Sequence, residues 1–241
     1  MWPATLANAG LVILSRHPVD ATQYMTFRQQ SWFEKFAVSR GALFAKLQLP
    51  GDAGHGFFFT THTTSPSDIL VQTLHLERFQ TAFTDRNSSG SQQLREFAGF
   101  IASNLAAHRD GAGHGRDSLV VVCGDINIKP AHPEFADFTA MMQAQNVTPA
   151  LDDAWRGRWE ATFGLRHPAT GAPLETMLTH TPDQRMPPKC LDYFFSNRLP
   201  LRAIVDRVAQ GNPALASRYQ QVSDHAGLSV TLQLRSECTK G

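Results

Sequence analysis

VVVCGDINIKP (residues 120–130) joins an uninterrupted apolar run to a glycine, a carboxylate and an amide. A run without polar alternation demands burial on both faces, so it reads as an interior strand of a sheet, and the end of such a strand makes a floor for a site. Asp125 and Asn127 stand two residues apart, the period that places side chains on one side of an extended chain. Together they offer oxygens to a hard cation, or position a phosphate ester and a water. The competing reading is a turn, because Asp and Asn bond their own backbone where a strand gives out.

The neighbouring segments support a layered architecture. GLVILS (10–15) reads as a buried strand ended by Pro18, and ALFAKLQL (42–49) alternates with Leu43, Ala45, Leu47 and Leu49 on one face. Pro50-Gly51 marks a turn, and GFFFTTH (56–62) its hairpin partner. A helix is expected around Asp68 to Thr84. A second, over residues 92–107, carries Leu94, Phe97, Ala98, Ile101 and Leu105 at helical spacing. Ser118 to Cys123 forms the next strand, and Pro133, suited to a first helical turn, opens a helix to Gln145 with Phe135, Phe138 and Met142 inward. CLDYFFSN (190–197), LRAIVDRV (201–208) and AGLSVTLQL (226–234) are strand-like. Strands mixed with helices that cover sheet faces give an α/β or α+β fold, and the absence of a convincing linker makes residues 1–241 a single domain.

Composition narrows the partners. The 241 residues are 42% apolar, enough for a substantial core, and 22 Lys plus Arg against 21 Asp plus Glu leave a formal charge of +1. That balance offers no general attraction to polyanions, which disfavours nucleic acid as a partner. Cys123, Cys190 and Cys238 are too few and scattered for a disulfide framework or a four-thiolate zinc site; Cys123 reads as a small core residue, and a Cys190–Cys238 bridge stays open. No stretch approaches the ~20 apolar residues that span a bilayer, and MWPATLANAG lacks the basic start and long apolar core of a signal peptide.

Three further places carry candidate chemistry. His62 ends the aromatic strand FFFTTH among hydroxyls, where an imidazole can bond a phosphate oxygen or give a proton, although a lone His is more often a surface or core residue. In Val222-Ser223-Asp224-His225, an adjacent Asp and His just before the last strand suit a metal ligand beside a base, against a simple cap by Ser223 and Asp224. Asp192 interrupts the apolar LDYFF and needs a partner there; His225 is the preferred one, with Lys189 or Arg198 as the structural alternative.

In their order, His62 in THT, then GDIN, then LDYFF, then SDH, these pieces resemble the endonuclease/exonuclease/phosphatase superfamily, and within it the neutral, bacterial-type sphingomyelinases. GLVILSRHPV, SRGALFAKLQL, TTHTTS, GDINIKPAHPEFADF, NVTPALDDAW with ATF after it, and PPKCLDYFFSN match in order and local character. The resemblance implies a four-layer α/β/β/α sandwich and a Mg²⁺-dependent phosphodiesterase that hydrolyses sphingomyelin to ceramide and phosphocholine at a membrane surface. It implies His225 as general base oriented by Asp192, Asp125 and Asn127 binding the phosphoryl group and holding Mg²⁺, Asp224 supporting the metal side, and His62 contacting a phosphate oxygen or the leaving group. It also favours a secreted or peripheral membrane location.

Family members begin with a strand carrying an Asn and another ending in a Glu that ligates Mg²⁺, both ahead of the GLVILS strand. Nine residues precede Gly10, and none of the seven glutamates (34, 77, 96, 134, 160, 175 and 237) follows an apolar strand in that place. The expectation is therefore an N-terminally truncated sandwich that binds Mg²⁺ weakly, turns over poorly and exposes a sheet edge. Gly90-Ser91 also stands where relatives often carry an Arg. Rival readings are a nuclease or inositol-phosphate phosphatase of the same superfamily, since substrate choice lives in loops, or a non-catalytic remnant that binds lipid or protein. Ser31-Trp32-Phe33 and Trp155 to Trp159 are aromatic clusters that fit either a lipid interface or the core.

Overall fold

The structure is a computed structural model that describes residues 7–8, 10–30, 38–64, 89–108, 118–149, 190–198, 200–206, 225 and 227–232. Its strands are β1 (Ala7–Asn8), β2 (Val19–Thr26), β3 (Val38–Ser39), β4 (Gly41–Gln48), β5 (His55–His62), β6 (Leu119–Asp125), β7 (Thr148–Pro149), β8 (Asp192–Ser196), β9 (Pro200–Asp206) and β10 (Gly227–Leu232). Two helices, α1 (Ser89–His108) and α2 (Pro133–Gln143), complete the set. The main sheet has six strands in the order β2-β4-β5-β6-β8-β7, while β9 pairs with β10 and β1 with β3. The helix expected at 68–84 lies outside the described residues.

The fold is α+β, and its centre is the parallel pair β5 and β6, flanked by the antiparallel β4 and β8. Register partners share a face. Ala42, Phe44, Phe57, Phe59, Val120, Val122, Tyr193 and Phe195 occupy the face that α1 and α2 cover, and each is almost fully buried. Phe138 of α2 stacks on Phe97 of α1 (6.1 Å between ring centroids, 11° between planes) and meets Phe195 edge-on (5.5 Å, 86°). The opposite face carries Leu119, Val121 and Phe194, against which Leu232 of β10 packs. Burial on both faces is what the alternation-free run at 119–122 demands.

Two expectations need correction. GLVILS forms no strand: Val12 is 67% and Leu14 89% exposed, and the strand starts only after Pro18. Apolar content does not make a strand without an edge to pair with, and the edge of β4 is taken by the more polar VDATQYMT, from Val19↔Leu47 to Thr26↔Gly41. Among the described residues β2 has no partner on its outer side, so it is the exposed edge. In ALFAKLQL the face that matters most is Ala42 and Phe44 (both 0% exposed), opposite Leu43, Ala45 and Leu47, since α1 lies over it. Cys190 is a buried free thiol, which removes the bridge to Cys238, and burial pushes its pKa up to about 12. Burial likewise raises Cys123 to about 11, as befits its place in the strand.

Candidate phosphoryl-transfer site

At one end of the sheet the ladder brings polar residues into a single rung. Gly41 of β4 is the register partner of His62 of β5, His62 that of Asp125 of β6, and Asp125 that of Asp192 of β8. Cross-strand partners lie ~5 Å apart with side chains on one face, here the face turned away from the helices. The rung ends where β5 and β6 give out at their C-termini. The strands beneath it are apolar, so the polar groups appear where sheet burial ends.

His225, just before β10 in the chain, closes the cluster. Its Nδ1 lies 2.6 Å from Oδ2 of Asp192, a short charge-assisted bond in which the ring N–H donates to the carboxylate. Asp192 is thus paired with His225, the preferred partner, while Lys189 lies outside the described residues. With Nδ1 committed, Nε2 faces Oδ2 of Asp125 at 3.8 Å, too long for a hydrogen bond. His62 Nε2 approaches the same oxygen at 3.4 Å from the other side. Burial above all, and then the charge of Asp192, push the Asp125 carboxyl up to about 7, against the opposing pull of His225, the Asn127 N–H and Arg40.

Asn127 is the part of the opening motif that behaves differently from its spacing. The strand stops at Asp125, Asn127 takes a left-handed φ of 52°, and its backbone N–H donates to Oδ1 of Asp125 at 2.9 Å. The two-residue alternation therefore does not hold, and the turn reading is correct for the backbone. The Asn127 side chain is buried, with Nδ2 donating to Thr63 O at 3.0 Å. Thr63 N–H donates to Asp125 O and its hydroxyl to Ile126 O, while the Tyr193 hydroxyl donates to Ile128 O. The GDIN loop is thus sewn to the end of β5 and to β8. Gln93 of α1, which the sequence did not single out, accepts from Thr64 N–H and donates to Thr64 Oγ1 and Gln29 O, tying helix to loop. Asp224 lies outside the described residues.

Gly124 sets the spacing of β5 and β6 one rung below. Its φ is +136° and a Cβ there would collide with Thr61 O. Gly124→Ala is therefore expected to lower unfolding free energy by about 3 kcal/mol, from a disfavoured φ plus the parting of two strands. Urea denaturation reads this directly, and an unchanged midpoint would contradict the close approach.

Asp125, Asp192 and His225 each offer a ligand atom, all within 4.8 Å of one another. A divalent cation suits this set: two carboxylates crowd a half-buried rung, and Mg²⁺ is commonly held by one or two carboxylates with water and substrate oxygens completing its shell. Sequence reasoning had given Asp192 an orienting role only. The remaining described glutamates near the helices stand elsewhere, Glu96 accepting from the N–H groups of Arg28 and Gln29, and Glu134 buried in the first turn of α2.

An imidazole aligned by a carboxylate beside a second half-buried carboxylate and another imidazole is an arrangement able to move a proton and hold a phosphoester on an α+β sheet. The Endonuclease/Exonuclease/phosphatase family matches residues 2–225, and the chain belongs to it, a family of hydrolases acting on phosphoesters. No curated protein sequence matches the chain. Among solved structures it is similar to the endonuclease/exonuclease/phosphatase from Beutenbergia cavernae (17% identity, 91% of this chain, 46% of that chain, TM-score 0.51). It is similar also to beta toxin from Staphylococcus aureus with bound magnesium ions (17% identity, 97% and 75% coverage, TM-score 0.53). A third is Sphingomyelinase C from Streptomyces griseocarneus (15% identity, 96% and 73%, TM-score 0.52). At such identities the likeness is one of fold, and the chain spans less than half the length of the Beutenbergia protein.

Proposed function

We propose that this chain is a phosphodiesterase of sphingomyelinase type, cleaving the bond between ceramide oxygen and phosphorus to leave ceramide and phosphocholine. The observation that carries the reading is the His225–Asp192 pair at 2.6 Å, on the rung that also holds Asp125 and His62. Asp192 keeps the proton on Nδ1 and leaves Nε2 as the base that takes a proton from the attacking water. Asp125 stands between the two imidazoles, and with the Asn127 N–H holding its carboxylate it positions the phosphoryl group. His62, on the far side of Asp125, gives a proton or hydrogen bond to a phosphoryl or leaving-group oxygen.

Mg²⁺, which Asp125 and Asp192 would hold, would neutralise the charge that builds on the phosphoryl oxygens. Its binding is expected to be weak, because among the described residues no glutamate joins Asp125 and Asp192 in the cluster. The choice of sphingomyelin rests on the likeness in fold to a sphingomyelinase C and on the near-neutral formal charge, +1, which offers little to a nucleic acid. The substrate would be met at a membrane surface; no helix among the described residues is long and apolar enough to cross one.

The deciding experiment compares Mg²⁺-dependent hydrolysis of sphingomyelin with that of nicked or abasic DNA, using His225→Ala as the control. Release of phosphocholine that disappears in the variant supports the proposal. Cleavage of DNA alone sinks it in favour of a nuclease.

A further inference from the structure

Gln93 of α1 is fully buried, a costly place for an amide unless every polar atom is bonded. Its Oε1 accepts the Thr64 N–H at 2.8 Å, while Nε2 donates to Thr64 Oγ1 at 2.7 Å and to Gln29 O at 2.8 Å. The oxygen and both amide hydrogens are thus engaged, and the group has one orientation: an oxygen must meet the Thr64 N–H, and an NH2 must meet Gln29 O. The segment it holds begins at His62, the last residue of β5. Thr63, also fully buried, donates its N–H to Asp125 O at 3.0 Å and its hydroxyl to Ile126 O at 2.7 Å, and its carbonyl accepts from Asn127 Nδ2 at 3.0 Å. One side chain of α1 therefore braces the segment leaving β5 and, at Gln29, the segment leaving β2.

We propose that Gln93 is a positioning residue for His62: its amide clamps Thr64, and through Thr63 and Thr64 it fixes where the imidazole stands against Asp125. This rests on the phosphodiesterase reading above, in which His62 serves a phosphoryl or leaving-group oxygen. A residue at the end of a strand is where a ladder frays, since pairing holds it from one direction only. An imidazole displaced by ~1 Å from its working place can cost ~100-fold in rate. The 20-residue α1 is a firm anchor against this, seated on the sheet through Leu94, Phe97, Ile101 and Leu105. Gln93 carries that firmness across to the strand end, on the side of the sheet away from the site, so it touches no substrate.

Gln93→Met keeps the volume and removes all three bonds. It is expected to lower kcat ~10- to 100-fold with KM little changed, because His62 acts on an oxygen whose charge develops in the transition state. A double-mutant cycle separates positioning from mere support: in a His62→Ala background, Gln93→Met should cost less than ~2-fold more. A second readout needs no turnover. In 1H–13C spectra of the metal-free protein, the His62 ring resonance should broaden or split in Gln93→Met. The resonance of His55, at the other end of β5 and 3.0 Å from Asp20, should stay in place. If wild type cleaves neither sphingomyelin nor bis(p-nitrophenyl) phosphate, the phosphodiesterase reading falls while the ring resonances still judge Gln93. Should Gln93→Met melt below the assay temperature, Thr64→Val, which gives up only the 2.7 Å bond, takes its place with an expected ~3- to 10-fold loss of kcat. A folded variant with wild-type kcat and an unmoved His62 resonance overturns the proposal. So does a loss in the His62→Ala background as large as that in wild type, since Gln93 would then act on the fold and not through His62.

Discussion

His225→Ala is expected to abolish diester hydrolysis almost entirely, lowering kcat about 10^3- to 10^4-fold with little change in KM. The base is made by its partner: with Nδ1 donating to Asp192 at 2.6 Å, the only lone pair left on the ring is that of Nε2. Asp192→Asn should cost about 10^2- to 10^4-fold in kcat for the same reason, because an amide can present its NH2 to Nδ1 and favour the wrong tautomer. The double variant should be little worse than His225→Ala alone, since the two act as a unit. Steady-state release of phosphocholine measures all three. Full activity in Asp192→Asn would mean that the carboxylate neither orients nor polarises the ring, and the assignment of base and orienter would have to be abandoned.

Asp125→Asn is expected to kill activity and yet stabilise the metal-free protein above neutral pH. Asp125 has its carboxyl raised to about 7 by burial and by the neighbouring Asp192. A carboxyl whose folded pKa lies above its unfolded value contributes stability that is complete below about pH 4 and is lost as pH rises through about 7. Wild type without divalent cation should therefore lose stability across that window, on the order of 2–4 kcal/mol, and stay low above it. Asparagine carries no charge to desolvate and still offers Oδ1 to the Asn127 N–H, so its turn is kept and the slope disappears. Millimolar Mg²⁺ at pH 8 should raise the melting temperature of wild type and leave Asp125→Asn unmoved. Thermal melts in EDTA and in Mg²⁺ across pH 4 to 9 provide the comparison. A flat wild-type profile, or equal Mg²⁺ responses, would remove Asp125 from the crowded carboxylate pair and from the cation.

Much of the scaffold could be read directly from residues. Strand β6, helix α1 and helix α2 follow from an unbroken apolar run and from apolar residues at helical spacing, because those patterns state which faces must leave water. GLVILS misled for a physical reason: apolarity says that a segment would gain from burial, and only pairing says whether an edge is on offer. VDATQYMT, polar and unremarkable in composition, won the edge of β4 through register alone.

The candidate site divides the same way. That His62, Asp125, Asp192 and His225 are candidates for chemistry was legible because each polar group interrupts or borders an apolar strand, where it is costly without a purpose or a partner. Spacing along the chain could not say that Asn127 turns its backbone left-handed and gives its amide to Thr63, nor that His62 and His225 flank the Asp125 carboxylate. Those facts belong to strand register, which slides whole rows of side chains past one another and is fixed only when all the strands pack. By itself the sequence determined that β5, β6 and β8 are apolar strands and which polar side chains stand at their ends. The tertiary structure alone decided that four of those side chains stand together, 2.6 to 3.8 Å apart, because distance across a sheet is set by hydrogen-bonded neighbours and not by position along the chain.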